Sequence, residues 1–123
     1  MHRRLGPLAL AWLAVAAPAA AFDADGTYIV HGTGQAPCSE WTADRMIAGA
    51  GAWQLQQWLL GYLTAYNEWV RGGADIAGSL GAEGVFTWVD DYCGRDRTRK
   101  LSEAVQALVR AQLTAPAEEQ PAQ

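Results

Sequence analysis

The chain has 123 residues, with 9 Lys and Arg against 13 Asp and Glu and a formal net charge of −4. That length holds one domain with a modest core. The acidic balance argues against nucleic acid and anionic membrane as partners, and favours a basic protein surface.

Residues 1–21 read as a secretory signal peptide. Arg3 and Arg4 precede an apolar run from Leu5, and Ala19, Ala20 and Ala21 fit a small-residue cleavage site. The run is interrupted by Pro7 and Pro18 and is shorter than the roughly 20 residues a membrane span needs. The expected location is therefore periplasmic or secreted, with a single helical domain over residues 22–114 and a polar, disordered tail over residues 115–123. Export makes a disulfide the default for the only two cysteines, Cys38 and Cys93. Two free thiols or an intermolecular bridge are the alternatives. A bridge over this span stabilises by about 4 kcal/mol.

In chain order, residues 27–30 (Thr-Tyr-Ile-Val) form a short strand or tethered arm among Gly26, Gly32 and Gly34. A first helix is expected over residues 39–48, capped by Ser39 and broken by Gly49-Ala50-Gly51. A second covers residues 53–71. Leu55, Leu59, Tyr62, Tyr66 and Trp69 recur at +4, +3, +4, +3 on one face, and Trp58, Leu60, Leu63 and Val70 widen it. An almost all-round apolar helix is the central, buried one. Trp58, Tyr62 and Tyr66 are therefore expected in the core, with hydrogen-bonded hydroxyls. Gly61 and Ala65 are expected to admit a close neighbouring helix.

Residues 72–84 hold five Gly and read as a long flexible connection. A third helix spans residues 85–93, with Val85, Trp88, Val89 and Tyr92 inward and Gly94 as its stop; Trp88 joins the expected core. A fourth covers residues 98–113, where Leu101, Ala104, Val105, Leu108 and Val109 follow the i, i+3, i+4, i+7, i+8 pattern. The fold class is all-α: a small irregular bundle of about four helices with one disulfide, after a short extended segment. If Cys38 opens helix one and Cys93 closes helix three, the two helices cannot run parallel, because a disulfide needs Cα atoms within about 7 Å. The glycine-rich connection is then expected to let the third helix turn and cross, giving an irregular, orthogonal helical fold.

Little in the sequence suggests catalysis or a cofactor. The calcium-loop beginning at Asp23 meets Gly34 where a Glu is required. Gly32-Thr33-Gly34 lacks the third Gly of a dinucleotide fingerprint. His31 is the one histidine after the signal, too few for a zinc site with paired cysteines or for a Ser-His-Asp site. Asp90 and Asp91 point about 100° apart on a helix, so they are a solvated face or a contact for a basic partner rather than a carboxylate pair. Of the tryptophans, Trp41 and Trp53 at helix ends are expected to be partly exposed, where an aromatic side chain anchors a partner. The connection supplies further candidate contacts in Asp75, Ile76 and Leu80; the competing reading is that Ile76 and Leu80 fold back and cap the core.

The order of a Gly-rich lead, Cys38 and Trp41, then QWLLGYLTAYN, then WVDDYC and an amphipathic last helix resembles the Rap/Tai family of periplasmic immunity proteins of type VI secretion. It is more loosely similar to the HdeA/HdeB acid-stress chaperones. The resemblance covers residues 32–113. It implies a small exported helical fold with Cys38 paired to Cys93, no cofactor, and a non-catalytic role in occluding an effector enzyme. The alternatives are an acid-stress chaperone, or a small hydrolase or envelope structural protein.

Overall fold

The computed structural model describes residues 28–115. The signal peptide, the Asp23 segment and all but the first residue of the polar tail lie outside them. Four helices form the body: α1 (Cys38–Ile47), α2 (Ala50–Trp69), α3 (Gly81–Arg95) and α4 (Leu101–Thr114). Two 3-10 turns, Gly32–Gln35 and Gly78–Leu80, precede α1 and α3. Among the described residues the only β pairing is an isolated bridge between Pro37 and Lys100. The all-α bundle expected from the sequence is what forms. No described helix is long and apolar enough to cross a membrane.

Helix α1 starts one residue earlier than its sequence suggests, and Pro37, not Ser39, occupies the cap position. The orphan amides of its first turn are satisfied from elsewhere in the chain. Cys38 N–H donates to Arg99 O at 2.6 Å and Ser39 N–H to Arg97 O at 3.0 Å. The helix closes at Ala48 in the left-handed region (φ 53°), whose N–H returns to Asp44 O. Ala50 and Gly51, expected to belong to the break, instead form the first turn of α2. The corner is tight: a Cβ on Gly51 would lie 2.5 Å from Asp44 Oδ2.

Helix α2 buries Ala52, Leu55, Leu59 and Leu63, a stripe rotated from the expected one. Trp58, Tyr62 and Tyr66 are half-buried and pack against the core rather than lying within it. Trp69 is 80% exposed. For Trp69 the reason is length: α1 has 10 residues and α2 has 20, about 15 Å against about 30 Å, so the C-terminal end of α2, far from the Ala48-Gly49 corner, outruns α1. Gly61 faces open space, with nothing within 4 Å of an added Cβ, and Ala65 is exposed. No helix approaches there. The close approach is made instead at Gly34, where an added Cβ would collide with the Trp58 ring. The glycine-containing lead to α1 is thus a fixed 3-10 turn, held also by Trp58 Nε1–H donating to His31 O at 2.7 Å.

The connection into α3 is shorter and more ordered than its glycines suggest. Asn67 organises it. Its Oδ1 accepts from Ile76 N–H at 2.8 Å, its Nδ2 donates to Asp75 Oδ1 at 3.1 Å, and its carbonyl accepts from Gly73 N–H. Gly72 and Gly73 take positive φ (63° and 96°), which glycine adopts without steric cost. Helix α3 then begins at Gly81, four residues before Val85, and runs through Gly94 to Arg95. Its core residues are Val85, Phe86, Val89 and Cys93. Trp88 is half-buried and stacks on Tyr92 with ring centroids 5.7 Å apart.

Helix α4 buries the five residues its periodicity singled out, plus Ser102. Its start slips from Thr98 to Leu101 because Asp96 captures Thr98 in a turn, accepting from the Thr98 N–H at 3.0 Å and from its hydroxyl at 2.6 Å. Leu101 N–H donates to Ala36 O, fixing the head of α4 beside the head of α1.

Candidate functional site

The sense of α1 against α3 is set by three successive levels of contact. Cys38 bonds to Cys93 with Cα atoms 4.9 Å apart. One turn up α1 and one turn down α3, Trp41 Nε1–H donates to Asp90 Oδ1 at 2.7 Å. A turn further, the Arg45 guanidinium lies over the Phe86 ring, 5.6 Å from its centroid. As α1 ascends, its partners on α3 descend, so the two helices are antiparallel. This agrees with the expectation that they could not run parallel, but corrects the expected orthogonal crossing: contact at three successive turns keeps α3 alongside α1.

Asp90 is the polar hub of that seam. Arg45 Nε donates to Oδ1 at 3.0 Å and Nη2 to Oδ2 at 2.9 Å, a two-pronged pair of the stronger kind. The hydrogen bond to Asp90 holds the Arg45 pKa above its ordinary value. With the Trp41 indole on the same carboxylate, Asp90 is engaged within the fold. Its side chain is still 37% exposed, so Asp90 is solvated and held by α1 at once, while Asp91, about 100° round the helix, is exposed.

The structure separates the other candidate contacts as well. Asp75 Oδ1 accepts from Asn67 and from Ala77 N–H at 3.0 Å, so it closes a turn. Ile76 is only 2% exposed and Leu80 is half-buried against the core. Capping describes these two apolar residues. Trp41, expected to be partly exposed, is fully buried; Trp53, expected likewise, is 62% exposed.

The surface groups that sequence reasoning missed are Met46 and Ile47, at 84% and 76% exposure. They sit at the end of α1, beyond the last level of the α3 seam. Trp69 and Val70 stand in the same relation to α2. A second exposed apolar feature is a groove of about 410 Å³ between α2 and the N-terminal arm, with Tyr28, Ile29, Trp58 and Tyr62 among its walls. Burial pushes the Tyr62 hydroxyl pKa up. No group of three or more His, Cys, Asp and Glu residues placed to hold a metal occurs among the described residues.

No protein-family model, curated protein or solved structure shows significant similarity to the chain.

Proposed function

We propose that this chain is an exported, periplasmic, non-catalytic domain that binds another protein, in the manner of the immunity proteins its cysteine and aromatic order resembles. The reading has it act by occlusion: a rigid body covers the working cleft of a partner enzyme. One observation supports it above others. The core is closed and covalently tied, yet the helix ends carry Met46, Ile47, Trp69 and Val70 at 63–84% exposure. Large apolar groups held out on a rigid frame are what a protein interface uses as anchors. Export is supported by the charge and apolar pattern of residues 1–21 and by the disulfide.

The test has two arms. Fractionation should place the processed chain in the periplasm with no free thiol. A partner recovered from periplasmic extract should then re-form a defined complex with the pure chain, and Ile47→Ser or Trp69→Ser should weaken it by about tenfold or more. A cytoplasmic, unprocessed chain, or no reconstituted complex, would overturn the reading. Protection of an unfolded client only at low pH would replace it with a chaperone role.

A further inference from the structure

The groove between α2 and the N-terminal arm is filled neither by the core nor by the reading above. It holds about 410 Å³ between Tyr28 and Ile29 on one side and Trp58 and Tyr62 on the other, with Gly61 in its lining. Its walls are held in place. Trp58 Nε1–H donates to His31 O at 2.7 Å, and Gly34 leaves no room for a Cβ beside the Trp58 ring. Ile29 stands 74% exposed at the groove, and the space above Gly61 is open for at least 4 Å. Such walls suit one large apolar side chain rather than a charge.

The chain itself carries that group within reach. Cleavage after Ala21 leaves six residues, Phe22-Asp23-Ala24-Asp25-Gly26-Thr27, ahead of Tyr28, which is already a groove wall. Phe22 is the one large apolar residue among them. Phe22 and Ala24 alternate with Asp23 and Asp25, so an extended run puts the apolar pair on one side and both carboxylates on the other. Asp-Gly is a favoured pair for a two-residue chain reversal. A reversal at Asp25-Gly26 opposes position 24 to position 27 and position 22 to position 29. Directly opposed residues share a face, so Phe22 then lies beside the exposed Ile29. Residues 116–123, at the other end of the chain, hold no aromatic or branched aliphatic side chain and bring nothing of that size.

We propose that the N-terminus freed by signal cleavage folds back at Asp25-Gly26 and seats Phe22 in this groove, beside Ile29 and over Gly61. This rests on the exported reading above, because processing is what makes Phe22 the end of the chain. An end can enter a groove without a path out on the far side, and its α-amino group can stay in water at the mouth. The tether favours Phe22 over any free occupant: a short segment attached at Tyr28 meets the groove at an effective concentration in roughly the millimolar range. Docking covers Ile29, closes the apolar recess and leaves the helix ends as the surface for a partner.

Nuclear magnetic resonance on the mature chain from the periplasm tests the docking, with intact mass identifying its first residue. The expected result is through-space contact from the Phe22 ring to the Gly61 α-protons and the Ile29 methyls. Phe22→Ser should lower the melting temperature by about 2–6 °C, a modest shift because ordering the segment offsets part of the burial. Gly61→Leu puts an apolar side chain into the same space, so in that background Phe22→Ser should lose less than half as much. No ring contact in protein that begins at Phe22, or equal losses in the two backgrounds, overturns the docking and leaves export and occlusion standing. A chain cleaved beyond Phe22 does the same. An unprocessed chain overturns both.

Discussion

The α1–α3 seam and helix α2 are built on opposite principles. α2 is the longer and more aromatic element, with Trp53, Trp58, Tyr62, Tyr66 and Trp69, yet none of those five is fully buried. The seam uses fewer apolar groups and buries them completely: Trp41, Val85, Val89 and both cysteines have no exposed surface. It also concentrates the covalent tie and the Arg45–Asp90 pair. Apolar content therefore did not determine burial. Position relative to the long-range contacts did, and α2 has room on its flanks for large side chains to cover the core without entering it. Stability is expected to follow the seam, and surface chemistry to follow α2.

The largest losses should come from the seam. Trp41→Ala removes a fully buried ring and one hydrogen bond to Asp90, and should cost about 3–5 kcal/mol by analogy with other large aromatic truncations. Cys93→Ser should cost about 2–5 kcal/mol. Both are read from denaturant midpoints of the oxidised protein. If a Trp58→Ala variant lost more than Trp41→Ala, the contrast between the two regions would be reversed. Intact mass under non-reducing conditions should show no free thiol in the parent.

Ile76 comes next. It is not on a helix, yet it reaches the core as fully as the leucines of α2. Ile76→Ser should cost about 2–5 kcal/mol, from lost packing and a hydroxyl placed among apolar groups. The connection is thereby distinguished from a binding loop: the variant, where still folded, should retain any partner affinity. Lost affinity at unchanged stability would restore the loop as a contact site.

Much of this was legible before the structure, and the misses have physical causes. The periodicity of α4 gave its buried set correctly, because an amphipathic helix packed on one side has one solution. α2 is apolar nearly all round, so several stripes fit the pattern equally well, and only the neighbours chose Ala52, Leu55, Leu59 and Leu63. The Arg45–Asp90 pair was within reach of sequence reasoning. Given the disulfide and the antiparallel sense, three residues on from Cys38 is Trp41, three back from Cys93 is Asp90, and a further turn of α1 puts Arg45 on the same inner row. The helix ends were misplaced where remote groups did the capping, as Arg97 and Arg99 do for α1. The exposure of Met46 and Ile47 depends on where α3 stops contacting α1, which no local pattern encodes.

Tyr62 sharpens the comparison from the other side. Its ring packs against the core and lies 5.8 Å from that of Trp58, but it remains half-buried. Tyr62→Ala should cost about 1–2 kcal/mol, well below a fully buried aromatic truncation. A loss as large as that of Trp41→Ala would mean that α2 carries as much of the stability as the seam.

The smallest effect lies at the head of α4, where neither region reaches. Glu103 Oε2 accepts from Lys100 N–H at 2.8 Å, and Oε1 pairs with Arg99 at 3.1 Å. The backbone hydrogen bond first, then the Arg99 guanidinium, hold the Glu103 pKa below its ordinary value of about 4.5. A carboxylate with a depressed folded-state pKa contributes stability that is complete above its unfolded value. That contribution is lost as pH falls from about 4.5 through the depressed one. The side chain is 41% exposed, so solvent screens the pair and the cap contributes about 1 kcal/mol or less. Glu103→Gln should therefore lower stability slightly at neutral pH and flatten the acid limb of the pH–stability curve. Asp91→Asn, on the open face of α3, should leave the curve near wild type. If the two variants gave the same curve, the cap at α4 would contribute no more than an unpartnered surface carboxylate.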